Sequence, residues 1–173
     1  HSIDKDTRTL QKGALYLALR GDNFDGNDFL SQAQAQGAVA AIVDREDVAP
    51  PRADFPLIRV SNGLQALHLL AEEWRKRLTL RVVALTGSSG KTSTKELIAG
   101  VLSQRFSVTK TEGNLNNHIG LPLSILQATS RQQMAVWEIG MNHPGEIAPL
   151  AALARPDIGV IVNIGVAHIE YMG

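Results

Sequence analysis

A glycine-rich segment between two regular stretches carries the clearest chemistry in this sequence. Residues 86–94 read Thr-Gly-Ser-Ser-Gly-Lys-Thr-Ser-Thr, after an apolar run and before an amphipathic one. Gly87 and Gly90 allow the backbone to turn its N–H groups inward, where a side chain would collide with a phosphate. Lys91 supplies a positive charge for the outer phosphates, and the Thr92 hydroxyl is placed to bind Mg²⁺. The segment predicts a phosphate-binding loop at the start of a helix.

The loop departs from the common pattern at one position. The usual form has another glycine five residues before its Gly-Lys pair, and here that position is Leu85. A Gly/Ser turn with a surface lysine is the alternative interpretation. Strand, glycines, Lys-Thr and helix occur in the required order, which favours nucleotide binding. Motors, GTPases and kinases also use such loops, so the motif indicates phosphate binding without fixing a reaction.

Two further candidate metal ligands follow predicted strands. Glu138 ends an apolar run, and a carboxylate at the end of a parallel strand beside a phosphate loop points into the ligand crevice. It could hold Mg²⁺ directly or through water, or it could be a solvated carboxylate. His168 lies beside Glu170 after another apolar run, and a plain hydrogen-bonded loop histidine is as good an interpretation as a metal ligand.

Three loop clusters carry side chains that could contact a ligand. They are Asn114, Asn116 and Asn117; Asp6, Thr7 and Arg8; and Asn23, Phe24, Asp25 and Gly26. The three amides could bind a polar substrate or order a metal-bound water, although asparagine and glycine are also ordinary turn residues. Arg8 could make a bidentate phosphate contact. Phe24 could stack on a base or fill the local core, and the sequence leaves both interpretations open.

Predicted strands and helices alternate along the chain that positions these residues. The predicted strands are 14–19, 38–43, 57–60, 81–86, 134–139 and 158–164, and the predicted helices are 27–36, 64–78, a stretch containing 97–102, and 144–153. This alternation predicts an α/β fold with a mainly parallel sheet. The run 158–164 lacks polar alternation, which predicts a strand covered on both faces. We place a domain boundary after the long helix, giving domains 1–78 and 79–173.

Composition excludes several classes of function. The 173 residues contain 17 Lys+Arg and 17 Asp+Glu, and zero net charge argues against a general nucleic-acid binder. The chain has 0 Cys, which removes disulfides, thiol catalysis and cysteine-based zinc sites. No apolar run approaches the ~18 residues that a membrane span needs, so membrane insertion is not expected.

Six strings, in this order, resemble the Mur ligases, the ATP-dependent amide-forming enzymes of peptidoglycan synthesis. They are Asp6-Thr-Arg8, GDNFDGNDF from Gly21, TGSSGKTST from Thr86, EGNLNNHIGLPLSIL from Glu112, EIGMNHPGEI from Glu138 and ARPDIGVIVNIGVAHIE from Ala154. The resemblance implies a small N-terminal α/β domain that binds the UDP part of the substrate. It also implies that this domain is followed by the first half of a P-loop, mainly parallel-sheet ATPase domain.

The resemblance also implies a reaction. ATP phosphorylates a substrate carboxylate, and an incoming amino group attacks the acyl phosphate. The asparagine-rich string and the Asn-His-Pro-Gly-Glu string favour the member that adds D-alanyl-D-alanine to UDP-N-acetylmuramoyl-tripeptide. Two alternatives stay open: the sister ligase that adds the third amino acid, and a non-catalytic UDP- or nucleotide-binding chain.

Residue roles carried over from the family match the motifs position by position. ATP would be bound by Gly87, Ser88, Ser89, Gly90, Lys91, Thr92 and Ser93, with Asn114, Asn116 and Asn117 near the γ-phosphate and substrate. Thr92 and Glu138 would hold one Mg²⁺ and His168 a second, so that Lys91, Glu138 and His168 form the catalytic set. The clusters Asp6 to Arg8 and Asn23 to Gly26 would contact the uridine nucleotide. Asp4 stands where the family usually has Ser or Thr, which bears on those uridine contacts.

The resemblance sets further expectations about the whole protein. It places a carbamylated lysine, most adenine contacts and a C-terminal domain beyond Gly173, so the chain is expected to be an N-terminal fragment without ligase activity of its own. It implies a monomeric, cytoplasmic enzyme of cell-wall synthesis that serves cell shape and division. Neither nucleic acid nor membrane is an expected partner.

Overall fold

The computed structural model describes residues 2–21 and 23–165, which belong to two compact units. The division falls after Leu69, and each unit is built on a four-stranded, fully parallel sheet. Helices connect most of the parallel strands, as parallel pairing requires. The predicted α/β fold with mainly parallel sheets is confirmed.

The first unit places its short strands in the order β1-β2-β5-β6. Its elements are β1 (Ile3–Asp4), β2 (Leu15–Leu17), β3 (Arg20–Gly21), β4 (Phe24–Asp25), a 3₁₀ turn (Gly26–Phe29), α1 (Leu30–Ala35), β5 (Ala40–Val43) and β6 (Leu57–Arg59). Strands β3 and β4 form a separate antiparallel pair. The predicted helix 27–36 is therefore shorter, because its first turn is a 3₁₀ turn that Asp25 caps.

Alternate side chains of the central strands form the core of the first unit. Tyr16 of β2 and Ala41 and Val43 of β5 belong to one buried cluster, which also includes Leu30 and Ala33 of α1. Leu30 and Ala33 are three positions apart and share one face of the short helix. This packing holds the loops that follow β1 and precede α1.

Helix α2 (Gly63–Arg77) contains the point of division. Its C-terminal half packs within the second unit, where Ala71 joins the core and the Trp74 indole N–H donates to the Ala128 carbonyl at 2.7 Å. The buried Arg75 guanidinium donates to the carbonyls of Leu78, Ala154 and Arg155. Burial lowers the pKa of Arg75. The proposed boundary after residue 78 stays a prediction.

The second unit has a sheet of order β10-β7-β9-β8 with helices on both faces. Its remaining elements are β7 (Arg81–Thr86), α3 (Lys91–Leu102), β8 (Val108–Lys110), α4 (Gly120–Gln127), β9 (Met134–Glu138), α5 (Ile147–Ala154) and β10 (Ile158–Ile161). Val82 and Trp137 face the cluster that includes α4 and α5, whereas Leu85 and Val136 pack on Ala99 of α3. β7 and β9 are consequently covered on both sides.

One expectation about this sheet is wrong. β10 ends at Ile161 and not at Ile164, and the side chains of Ile158 and Ile161 are 56% and 65% exposed. Within the described residues β10 pairs with β7 alone and forms a sheet edge, which leaves Ile158 and Ile161 uncovered, whereas Val160 packs against the cluster of Leu85, Ala99 and Val136. Absence of polar alternation does not distinguish such a strand from a covered one. Among the described residues, no helix has the length and apolarity needed to cross a membrane.

Candidate active site

The glycine-rich segment forms a turn between β7 and α3, as the sequence predicts. Gly87 has φ 150° and Gly90 has φ 76°, conformations that residues with a Cβ rarely adopt. α3 begins at Lys91, and no side chain at position 90 caps its first turn. The first N–H groups of a helix have no intrahelical acceptor and carry partial positive charge. This end of α3 is therefore suited to bind an anion.

The ammonium of Lys91 lies over the loop that precedes it. It donates to the carbonyl oxygen of Gly87 at 2.6 Å and lies 3.4 Å from that of Ser88. Both contacts are with the loop backbone. A flexible lysine held at this point can turn its charge toward an incoming phosphate over a short distance.

Asn163, which follows β10, binds the same loop and was not among the predicted site residues. Its carbonyl accepts from the Ser88 N–H at 3.3 Å and its side-chain oxygen from the Ser89 N–H at 3.0 Å. Its amide donates to Ser89 Oγ at 2.8 Å. Two loop N–H groups that the sequence assigns to phosphate thus have protein acceptors. The sequence carries no signal for this contact, because the contact depends on the pairing of β10 with β7.

Glu138 lies at the centre of a polar cluster beside the loop. Thr92 Oγ1 donates to Glu138 Oε2 at 3.0 Å, and Asn116 Nδ2 donates to Oε1 at 2.8 Å. The Glu138 N–H donates to the hydroxyl of the buried Thr111 at 2.9 Å. Glu138 is 1% exposed, because β9 lies between β7 and β8 and ends level with Leu85 of β7. The interpretation of Glu138 as a solvated carboxylate is therefore excluded.

Two oxygen atoms of this cluster fit a magnesium ion. Thr92 Oγ1 and Glu138 Oε2 are 3.0 Å apart. Neighbouring ligands of an octahedral Mg²⁺, at Mg–O distances of about 2.0–2.1 Å, are roughly 2.9 Å apart. Mg²⁺ in phosphate sites usually takes only one or two protein oxygens, with water and phosphate completing its shell. The described residues contain no group of 3 or more His, Cys, Asp or Glu that could hold a metal ion.

Lys95 is a buried member of the cluster that the sequence analysis missed. Its side chain is 0% exposed, and its Nζ lies 3.2 Å from the Gly113 carbonyl oxygen and 3.9 Å from Glu138 Oε2. Lys95 follows Lys91 by four positions, so both lysines lie on one face of α3. That spacing was the available signal.

The three candidate asparagines have different surroundings. The side chain of Asn116 reaches Glu138, and its carbonyl accepts from the Gly140 N–H at 2.7 Å. The side-chain oxygen of Asn117 accepts from the N–H groups of Ile119 and Gly120 at the start of α4. Asn114 is exposed, and so is Ser93 of α3. His168 lies outside the described residues.

A cavity in the first unit brings together two of the predicted clusters. It has a volume of about 460 Å³ and is lined by Lys5, Asp6, Thr7, Arg8, Tyr16, Phe24, Phe29 and Gln32. Phe24 is 56% exposed and Phe29 42% exposed, so neither ring fills the core. Exposed aromatic rings beside cations suit a ligand that has a flat base and negative charge.

Two of the charged side chains that line this cavity, Asp6 and Arg8, are paired with each other. Arg8 donates to Asp6 through Nε at 2.9 Å and through Nη2 at 2.6 Å. This hydrogen bonding from Arg8 lowers the pKa of Asp6 to about 2. The buried Tyr16 hydroxyl donates to the Gly26 carbonyl at 3.0 Å, and burial raises its pKa to about 12. Arg8 must exchange part of this pairing to contact a phosphate.

The rest of the Phe24 cluster supports the cavity and does not line it. Asp25 accepts from the Asn27 N–H at 2.8 Å and from Arg45 Nη1 at 3.1 Å. Burial opposes ionisation of Asp25, but these hydrogen bonds prevail and lower its pKa. A Cβ at Gly26 would lie 2.6 Å from the Leu19 carbonyl oxygen, so only glycine fits there. Asn23 is exposed.

Comparison with known families decides the relationship of the chain. Residues 85–173 match the Mur ligase middle domain, and residues 1–75 match the Mur ligase family catalytic domain. The chain belongs to the Mur ligase family. The resemblance inferred from the sequence motifs is confirmed.

Individual members of the Mur ligase family are similar to the chain over its full length. The UDP-N-acetylmuramoyl-tripeptide–D-alanyl-D-alanine ligase of Synechocystis sp. is 45% identical over 175 residues, covering 100% of the chain and 38% of that protein. A crystal structure of MurF from Acinetobacter baumannii has a TM-score of 0.87 at 40% identity, over 97% of this chain and 36% of the other. The crystal structure of MurF from Thermotoga maritima in complex with ADP has a TM-score of 0.83 at 37% identity, over 98% of this chain and 39% of the other. The chain thus spans 38% of the length of the Synechocystis relative.

Proposed function

We propose that the full-length protein carrying this sequence joins D-alanyl-D-alanine to UDP-N-acetylmuramoyl-tripeptide in peptidoglycan synthesis, at the expense of ATP. The observation that carries the proposal is the convergence of Thr92, Glu138 and the phosphate loop at the ends of β7 and β9. Family membership and the names of the relatives support this reaction for the site. These substrates also support a cytoplasmic place of action, and a monomeric state stays a prediction.

The proposed reaction has two steps. A carboxylate oxygen of the tripeptide attacks the terminal phosphorus of ATP, which releases ADP and forms an acyl phosphate. The amino group of D-alanyl-D-alanine then attacks the acyl carbon, the amide bond forms, and inorganic phosphate leaves. Phosphorylation replaces a poor leaving group with a good one.

In this proposal the second unit binds ATP and stabilises the transferring phosphoryl group. The N–H groups at the start of α3 hold phosphate oxygens, and Lys91 turns from the loop carbonyls toward the outer phosphates. Thr92 and Glu138 would hold Mg²⁺, which would supply charge neutralisation at the phosphates. Asn116 fixes the second oxygen of Glu138. His168 as ligand of a second Mg²⁺, and Asn114 and Asn117 near the substrate, are carried over from the family as part of this proposal.

The first unit is proposed to bind the UDP part of the precursor. Phe24 and Phe29 offer rings for the uracil base, and Lys5 and Arg8 offer charges for the diphosphate. Asp6 and Thr7 line the same cavity. Asp25 and Gly26 contribute by fixing the turn before α1.

A coupled assay with the full-length protein tests the proposal. We expect phosphate release and amide formation that require ATP, UDP-N-acetylmuramoyl-tripeptide and D-alanyl-D-alanine together. Release that depends on a single diamino acid and ignores D-alanyl-D-alanine would instead identify the sister ligase that adds the third residue. For the 173-residue chain alone we expect weak binding of the UDP precursor, weak or absent ATP binding, and no amide formation.

A further inference from the structure

Lys95 is the one buried cation in the cluster around Glu138 among the described residues. Its ammonium lies 3.2 Å from the Gly113 carbonyl oxygen, 3.4 Å from Glu96 Oε1 and 3.9 Å from Glu138 Oε2. A buried charge is costly unless it is paired and hydrogen-bonded. A buried lysine therefore needs a specific acidic partner. Of the two carboxylates near Lys95, Glu138 is the buried one.

The contacts of Lys95 join three elements that build the candidate metal site. Lys95 belongs to α3, Glu138 ends β9, and Gly113 begins the loop that carries Asn116. Asn116 in turn donates to Glu138 Oε1, whereas Lys95 faces Oε2. Neighbouring side chains thereby contact both carboxylate oxygens of Glu138. Thr92, on the same helix as Lys95, shares Oε2.

We propose that Lys95 is a positioning residue, which holds Glu138 and the loop 113–117 so that Glu138 and Thr92 present their oxygens to a nucleotide-bound divalent cation. This inference rests on the proposed function. Lys95 itself contacts neither nucleotide nor metal in this account and acts through Glu138. Partners behind metal ligands typically change metal affinity by about 10- to 100-fold when they are removed.

A purely electrostatic role of Lys95 predicts the opposite change in metal affinity when the lysine is removed. A positive charge near a divalent cation repels it, so removal of an uninvolved lysine would tighten metal binding. A positioning role predicts weaker metal binding, because the carboxylate loses its fixed orientation. The direction of the change therefore separates the two roles.

The test measures Mn²⁺ binding in the presence of ADP, by electron paramagnetic resonance on the full-length protein. We expect Lys95→Met to weaken Mn²⁺ binding by about 10-fold or more. Affinity for ADP without a divalent ion should stay unchanged, since Lys91 and the loop are intact. A general structural defect would lower both affinities together. Lys95→Gln keeps a donor for the Gly113 carbonyl and provides the same comparison if Lys95→Met fails to fold.

Lys110→Met is the matched control. Lys110 also forms an ion pair with Glu96, but it lies on β8 and is partly exposed. Because exposed ion pairs contribute little to stability, the Mn²⁺ affinity of the Lys110→Met variant should stay within about two-fold of that of the unaltered protein. Unchanged or tighter Mn²⁺ binding in the Lys95 variants, or an equal loss of metal-free ADP binding, overturns the inference alone. Failure of the unaltered protein to bind ADP with Mn²⁺ overturns the proposed function as well.

Discussion

The two candidate sites differ in which part of the chain faces the ligand. In the first unit side chains form the cavity, with the exposed ring of Phe24 beside the cations Lys5 and Arg8. In the second unit the phosphate loop depends on backbone N–H groups and on the conformations of Gly87 and Gly90. A backbone site restricts the residue type to glycine, whereas several side chains can line a cavity. The phosphate loop is therefore recognisable in the sequence, and the cavity becomes evident only in the structure.

The ion pairs of the two sites also differ in burial. Asp6 and Arg8 form an exposed pair, with the Arg8 side chain 82% exposed. Lys95 and Glu138 are both buried. Exposed pairs contribute little to stability, whereas removal of one member of a buried pair leaves an uncompensated charge.

Glu138→Ala should destabilise the second unit most. It removes the buried carboxylate beside the Lys95 ammonium, which keeps only the half-exposed Glu96, and loss of one member of a buried pair typically costs about 3–5 kcal/mol in free energy of unfolding. Urea unfolding of the 173-residue chain, followed by the fluorescence of Trp74 and Trp137, measures this loss, since both tryptophans lie in the second unit. Glu73→Ala, which removes an exposed ion pair of α2, is the control. Equal effects of the two substitutions would contradict the assigned role of burial.

Lys91→Ala should affect the reaction far more than the fold. Loss of a charge aimed at the transferring phosphoryl group raises the barrier by roughly 3–4 kcal/mol. The unfolding midpoint should hardly change, because Lys91 contacts only loop carbonyls. Turnover of the full-length protein and thermal unfolding are measured together, with the exposed Lys76→Ala as control. An unchanged turnover would remove Lys91 from its proposed role.

Phe24→Ala should weaken binding to the side-chain cavity and leave stability intact. Stacking of a base on an aromatic ring contributes about 1–3 kcal/mol. The ring is 56% exposed, so its removal opens no core cavity. Calorimetric titration of the chain with UDP gives the affinity, and Ile58→Ala provides a control at another exposed apolar side chain of the first unit. Equal UDP affinity in Phe24→Ala and the unaltered chain would exclude stacking.

A pair of loop variants tests whether the phosphate site is a backbone site. Gly90→Ala places a Cβ in a left-handed conformation, which costs roughly 1–2 kcal/mol, and should weaken Mg·ADP binding by the full-length protein. Ser89→Ala keeps the backbone N–H and should have little effect. The reverse order of the two affinities would show that side chains and not backbone bind the phosphates.

Arg8→Ala should have the smallest effect on stability, which arises through the ionisation of Asp6. The Arg8 hydrogen bonds lower the pKa of Asp6 from 3.8 to about 2, so their contribution to stability is present above pH 3.8 and is lost as the pH falls through about 2. NMR titration of the Asp6 carboxyl should therefore show a rise in its pKa toward 3.8 in the variant. Lys12→Ala is the control, because the Lys12 side chain lies beside Gly37 and is not among the groups that shift the pKa of Asp6. An unchanged titration midpoint of Asp6 in the Arg8→Ala variant would contradict the pairing of Asp6 with Arg8.

The sequence predicts the parts of the site that follow from local pattern or from strand ends. Gly87, Gly90 and Lys91 form the predicted turn and helix start. Thr92 and Glu138 meet because parallel strands present their carboxyl ends at one edge of the sheet. The alternation of strands and helices predicts the α/β fold, because neighbouring parallel strands must be joined by crossover connections.

Contacts that depend on tertiary register escaped prediction. Asn163 reaches the phosphate loop because β10 pairs with β7, and no pattern near Asn163 encodes that pairing. Lys95 looks like an ordinary polar residue of an amphipathic helix until α3 is packed on the sheet. Asp25 resembled a ligand-contacting residue, and its partner Arg45 is 20 positions away. Each of these contacts depends on which residue, distant in the sequence, the fold brings next to the side chain.

We propose that the start of α3, Thr92 and Glu138 form one site for a nucleotide with its metal ion. Anomalous diffraction from crystals of the full-length protein grown with ADP and Mn²⁺ tests it most directly. We expect a Mn²⁺ peak next to Thr92 Oγ1 and the Glu138 carboxylate, with the ADP phosphates on the N–H groups at the start of α3. A Mn²⁺ ion held without these two residues, or ADP bound away from the loop, would contradict it.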